Sequence, residues 1–157
     1  MSDFNSLTAS ELGDMIGQGE IDPVELTEHF LSRIQASPIG KKIYSTVTSQ
    51  LALEQAKDAK KRAISGRRLS SLDGVPISWK DLFDIKGYPC EAGSELLAGR
   101  LANQNCEVYN LAEAQGLICL GKTHMSELAF SGLGLNPVRE TPPCVNYPES
   151  VPGGSSS

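Results

Sequence analysis

Cysteine and histidine are scarce in this sequence, and neither forms a cluster. The four cysteines, Cys90, Cys106, Cys119 and Cys144, fall at no metal-knuckle spacing, and His29 and His124 stand apart from them. A zinc or disulfide framework needs closer, patterned spacing, so reduced, partly buried thiols and no metal are expected. Positive charge is also short: 14 Lys and Arg against 19 Asp and Glu give a net charge of −5. That balance offers no electrostatic footprint for direct binding of nucleic acid. No apolar run approaches the roughly 20 residues of a membrane helix. The start, Met1-Ser2-Asp3-Phe4-Asn5, has no basic segment leading into an apolar one, so no secretory leader is expected and a cytoplasmic location follows.

What is present suits a soluble globular class. Hydrophobic residues make up 39% of 157, and the mean hydropathy is −0.20, which is enough for one ordinary domain with a core. Thr8 and Glu11 form a capping box that opens a helix from Ala9 to Ile16, with Gly17 and Gly19 ending it. Asp22-Pro23-Val24-Glu25 opens a second helix, since Asp22 caps, Pro23 suits the first position and Glu25 meets the dipole. Leu26, Phe30 and Ile34 then give it an inward face, and Pro38 and Gly40 close it. A third helix runs from about Gln50 to Ala63, with Ala52, Ala56, Ala59 and Ala63 as a small-residue stripe.

After Gly66 the texture changes. Leu72-Asp73-Gly74 is a turn signal and Val75–Trp79 is β-prone, with Pro76 near its start. Asp84–Gly87 reads as a short strand or turn. Asn110–Gln115 ends a helix at Gly116, Leu117–Leu120 is a buried strand, and Met125–Phe130 is a short helix. Gly, Pro, Asn and Ser dominate from Gly132 onward, as in a long ordered loop or a linker. Leading helices followed by interleaved strands and helices predict an α/β fold with more sheet than this segment supplies.

One motif invites a nucleotide. Gly116-Leu-Ile-Cys-Leu-Gly121-Lys122-Thr123 matches the phosphate-loop pattern G-x-x-x-x-G-K-[ST]. That mechanism needs a strand before the first glycine and a flexible loop after it. Here the residues before Gly116 are helical, and those between the glycines are themselves the strand. A strand followed by a turn at Gly121-Lys122-Thr123 is preferred, and a nucleotide-binding module is kept as a remote alternative.

Two stretches carry chemistry. Alone, Lys80 is a surface lysine and Gly153-Gly154-Ser155-Ser156-Ser157 a flexible linker. Together, and in this order, they resemble the amidase-signature family. Gly74-Val75-Pro76-Ile77-Ser78-Trp79-Lys80-Asp81 is similar to its G-V-P-I-x-x-K-D block. The pair Gly93-Ser94, the run Gly121-Lys122-Thr123-His124-Met125-Ser126-Glu127-Leu128-Ala129 beside the family's G-K-T-N-M-x-E-F-A, Asn136-Pro137 and the terminal P-G-G-S-S also resemble it. Trp79 is bulkier than the usual residue, and Arg139-Glu140-Thr141 and Asn103–Glu107 depart from the pattern.

The resemblance implies an α/β/α sandwich with a mixed sheet and an amide hydrolase acting on linear amides through a Ser-cisSer-Lys triad. Lys80 matches the lysine and Ser155 the bridging serine, with a cis peptide before Ser155. It implies no cofactor and a small-molecule amide as substrate. The glutaminase (A-type) subunit of a tRNA-dependent amidotransferase is the alternative within the family. Partners are then a homodimer or amidotransferase subunits. Residues 1–157 are expected to be the N-terminal part of a single such domain, stopping inside the Gly-Gly-Ser-Ser motif. The nucleophilic serine and oxyanion hole are then expected in a later Gly/Ser-rich block. Such a piece is expected to be inactive alone, so a non-enzymatic chain is a further reading.

Burial disfavours a charged lysine, and a lysine acts as a base only when neutral. Trp79 is expected to contribute to that burial, and Asp81 to point away or make another contact. For the phosphate-loop match, calorimetric titration with Mg-ATP is expected to give no saturable binding below about 1 mM. Micromolar binding lost in Lys122→Ala would restore the nucleotide class.

Overall fold

A computed structural model describes residues 4–157. They divide into two compact units. The first comprises residues 4–35, 48–77 and 110–120, and the second residues 36–47, 78–109 and 121–157.

The first unit holds the leading helices. In α1 (Ala9–Gln18) the capping box forms as expected: Glu11 N–H donates to Thr8 Oγ at 3.3 Å, and Thr8 N–H donates to Glu11 Oε2 at 2.7 Å. The helix runs through Gly17 and ends at left-handed Gly19. A glycine inside a helix costs only about 1 kcal/mol, and a Cβ on Gly17 would sit 2.5 Å from the Arg68 guanidinium. In α2 (Pro23–Ala36) Val24 N–H donates to Asp22 Oδ1 at 2.8 Å. Leu12 and Ile16 of α1 meet Ile21, Leu26 and Val75 in one buried cluster. Each such side chain contributes about 1.5–3 kcal/mol by leaving water.

A four-residue helix, α3 (Gly40–Ile43), leads into strand β1 (Tyr44–Val47). The alanine stripe is real in α4 (Ser49–Ile64). Ala52, Ala56 and Ala59 are buried with Ile118, while Ala63 joins the other cluster. Small side chains there let the helix backbone approach the strand closely.

Strands β2 (Pro76–Lys80) and β3 (Ile118–Thr123) complete a three-stranded sheet of order β1-β3-β2. β1 and β3 are antiparallel, with Tyr44 opposite Thr123 and Val47 opposite Gly121. Ile118 N–H donates to Val75 O and Asp81 N–H to Thr123 O, both at 3.0 Å. Residue numbers rise together along that pair, so β2 and β3 are parallel and the sheet is mixed. This is the α/β class expected.

Several local expectations change. The sequence reading omitted α3 and β1. β3 continues through Thr123 instead of turning at Gly121, because β1 supplies ladder partners there. Of the strand or turn expected over Asp84–Gly87 the turn forms, closed by Tyr88 N–H to Ile85 O at 3.0 Å. The helix end expected over Asn110–Gln115 forms as the close of α5 (Glu107–Ala114), whereas the Met125 helix shrinks to a single turn over Glu127–Ala129. Among the described residues, no helix is long and apolar enough to cross a membrane.

Asp73, of the Asp73-Gly74 turn, is the polar pin of the first unit. Its side chain is fully buried. Arg62 grips it in a fork of 2.7 and 2.8 Å, and Leu69 N–H adds 2.9 Å. That pairing raises the Arg62 pKa. Asp73→Ala strands a partly buried guanidinium. It is expected to destabilise the protein by about 2–4 kcal/mol, at the lower edge of breaking a buried pair because Arg62 keeps some solvent. A denaturant-midpoint comparison with wild type reads this directly.

Candidate functional site

The candidate site lies in the second unit, where β2 ends. The last two residues of β2 and the residue just past it have three separate sets of partners. Trp79 is buried against Phe83 and Tyr109. Lys80 donates from Nζ to Ser155 Oγ, a partner 75 positions away in sequence. Asp81 goes to Lys122, whose Nζ lies 2.8 Å from Asp81 Oδ1. The two residues singled out from the sequence, Lys80 and Ser155, are therefore brought together. Trp79 itself is buried, with its ring against Phe83 and Tyr109. Asp81 does make another contact, as expected.

Ser155 is held by its backbone. The Gly154–Ser155 peptide is cis. Ser126 N–H donates to Ser155 O at 3.0 Å, and Met125 pairs with Ser156 in an antiparallel bridge. The terminal segment thus lies along the chain that follows β3, and reads as ordered structure rather than linker.

Close backbone packing from the other side fixes it further. A Cβ on Gly154 would sit 2.6 Å from Gly134 N, and one on Gly134 would sit 1.9 Å from Gly153 O. Asn136 clasps the neighbouring loops, donating through Nδ2 to Gly93 O and Met125 O, both at 2.8 Å. The sequence reading noted Asn136 only as part of a motif and passed over Gly134. The Gly-rich composition from Gly132 onward was the available signal, and it left an ordered loop and a linker both open.

The loop leaving Asp81 is equally tied down. Arg100 forks onto Asp84 at 2.6 and 2.8 Å, which holds the Asp84 pKa down to about 2. Arg139 bridges Glu91 at 2.8 Å and Glu95 at 2.6 Å. Ser94, fully buried, donates to Glu127 Oε1 at 2.7 Å. A polar cavity of about 200 Å³ is lined by Ser45, Asp81, Glu91, Gly93, His124 and Arg139. Burial is the main cause that lowers the His124 pKa and raises that of Cys90. A wider hollow of about 370 Å³ lies in the first unit, where its charged lining is only the Asp22–Lys60 pair. Among the described residues no group of three or more His, Cys, Asp or Glu is placed to hold a metal ion.

Lys122 occupies a place no phosphate-loop lysine can take. Its side chain is wholly buried, paired with Asp81, and donates to Pro89 O at 2.6 Å. The four residues between the glycines include the start of β3. Their backbone therefore forms a strand rather than a phosphate cradle.

A mixed sheet that presents a lysine hydrogen-bonded to a serine after a cis peptide defines an α/β protein with a lysine–serine site. The chain belongs to the amidase-signature family: the family model described as Amidase matches residues 25–157. It is similar to the A subunit of glutamyl-tRNA(Gln) amidotransferase from Acinetobacter baumannii, 35% identical over 99% of this chain and 32% of that protein. The corresponding protein of Thioalkalivibrio sulfidiphilus is 39% identical over 95% of this chain and 31% of that protein. Native peptide amidase from Stenotrophomonas maltophilia shares the fold, with a TM-score of 0.87 at 24% identity over 98% of this chain and 33% of that one. The chain thus spans about a third of the length of the curated relatives it matches.

The packing around Ser155 is testable. Gly134 has φ +77 and no room for a Cβ, whereas Gly132 has nothing within 4 Å of one. Gly134→Ala is expected to cost about 1–3 kcal/mol through overpacking and left-handed strain. Gly132→Ala is expected to change stability far less. Denaturant midpoints of the two variants, compared side by side, check the difference.

Proposed function

We propose that Lys80 and Ser155 are the base and the bridging serine of a Ser-cisSer-Lys triad in an amide hydrolase. The observation that carries this is the hydrogen bond from Lys80 Nζ to Ser155 Oγ. Amide hydrolysis needs an activated nucleophile and a proton for the departing amine. A serine hydroxyl both donates and accepts, so Ser155 can pass a proton between a nucleophile and the lysine. In this reading a neutral Lys80 takes the proton through Ser155 and returns it to the leaving nitrogen. The nucleophilic serine is proposed to lie in a Gly/Ser-rich block roughly two dozen residues past Ser155, a motif-spacing argument. Residues 1–157 are then the N-terminal part of one such domain, inactive without that block. The substrate is a linear amide, and the location cytoplasmic.

A second reading is favoured by the names of the relatives. Two relatives, at 35% and 39% identity, are A subunits of glutamyl-tRNA(Gln) amidotransferases. In that case the amide is hydrolysed by a glutaminase subunit working in a complex. Affinity purification from the native cell separates the two readings: amidotransferase subunits recovered stoichiometrically favour the second.

The triad reading is tested in the complete polypeptide that contains this chain. Lys80→Ala is expected to lower amide hydrolysis at least about 10²–10⁴-fold, the scale of general-base catalysis. Lys80→Arg is expected to be nearly as damaging, because arginine keeps its charge. Ser155→Ala should fall with them, and the double variant should be little worse, as for groups acting as a unit. If folded Lys80→Arg keeps more than about a tenth of the wild-type rate, the lysine is not the base.

A further inference from the structure

Lys122 is the residue that the phosphate-loop pattern singled out and that the proposed triad leaves without a task. Its side chain is 0% exposed, and that of its partner Asp81 is 6% exposed. Burying two charges is expensive, and apolar residues of similar volume often serve stability as well or better. Stability alone therefore gives this pair little reason to exist. Its location supplies one, because Asp81 immediately follows Lys80.

Asp81 is hydrogen-bonded through its backbone and through Oδ2, while Oδ1 makes the ion pair without a well-directed hydrogen bond. Its N–H donates to Thr123 O at 3.0 Å, and its carbonyl accepts from Ala92 N–H at 3.0 Å. Oδ2 accepts from Glu91 N–H at 3.1 Å, and Oδ1 faces Lys122 Nζ at 2.8 Å. Lys122 is anchored in turn on Pro89 O at 2.6 Å. The carboxylate is thus held to one side of the strand end. Asp81 directly follows the last residue of β2, so holding it there constrains the backbone from which Lys80 reaches Ser155. The pair also takes up the one carboxylate adjacent in sequence to Lys80, which would otherwise be a competing acceptor for the amine.

We propose that the buried Asp81–Lys122 ion pair is the positioning device for Lys80. It fixes the facing of the strand end and so directs the amine onto the Ser155 hydroxyl. Lys122 and Asp81 are positioning residues that touch no reacting atom. The inference rests on the triad reading for its effect on rate, but its structural content stands apart from it.

The test uses Asp81→Leu/Lys122→Met in the complete polypeptide, with thermal unfolding confirming a folded protein. The double change removes both charges at once, so neither is left buried and unpaired. Two quantities are read: kcat and KM for amide hydrolysis, and the Lys80–Ser155 contact in a crystal structure of the variant. A folded variant is expected to lose at least about tenfold in kcat while KM stays within about twofold, since misplacement by about an ångström carries losses of that order or more. The Lys80–Ser155 hydrogen bond is expected to be broken or split between conformers. A kcat within about threefold of wild type with the contact intact overturns the proposal and leaves the pair a purely structural feature. Lys80→Ala, assayed in parallel, reports separately on the triad. Should that variant hydrolyse amide at the wild-type rate, the triad reading falls. The positioning proposal is then decided by the contact alone: kept overturns it, lost sustains it.

Discussion

The second unit depends on a single buried ion pair. A carboxylate at the end of a strand, cut off from water, needs every lone pair answered. Asp81 is offset by the charge of Lys122 at Oδ1 and by the Glu91 amide at Oδ2, and its backbone is tied to β3. Because the residue before it is Lys80, an electrostatic requirement of the interior becomes a geometric fact about the site. The loop from residue 82 to residue 102 then leaves a fixed point. Its return is fixed as well, by the Asp84–Arg100 fork and by paired amides such as Cys90 N–H to Arg100 O at 3.0 Å.

The serine half of the site is held by the opposite kind of interaction. Main-chain packing, rather than an ion pair, secures the Ser155 backbone. Gly134 lies against Gly153 and Gly154, and the segment adds itself beside Met125 and Ser126. Asn136 then closes the loops with two donated bonds. Rigidity here comes from small residues, which let main-chain groups approach at distances a Cβ would forbid. The Ser155 hydroxyl thus projects from a backbone tied down on both sides.

Legibility in the sequence followed the range of the interactions. The α1 capping box, the Asp22 cap and the alanine stripe of α4 depend on residues two to four apart, and they were readable. Strand β1 was not, because Tyr44–Val47 is short and its burial alternates only weakly; it becomes a strand by pairing with β3. The same pairing carries β3 past Gly121. The aromatic partners of Trp79 were not readable either, since Tyr109 lies thirty positions away. Gly134 was invisible for a related reason: its partner, Gly153, is distant in sequence.

Adjacent residues alone were enough to set the class of protein and to name the residues to watch. The G-V-P-I-x-x-K-D and P-G-G-S-S blocks are runs of neighbours, so their order and spacing survive in one dimension, and they pointed to Lys80 and Ser155. The chain also contained the reason to doubt a phosphate loop, since an apolar run between two glycines is a strand by composition. It took the folded chain to bring the lysine amine onto that hydroxyl, and to make the lysine of the false motif the counter-ion of Asp81. Both are contacts between residues far apart in the chain. Such contacts are settled by which groups the interior brings together and must satisfy, and no local pattern in the sequence records that.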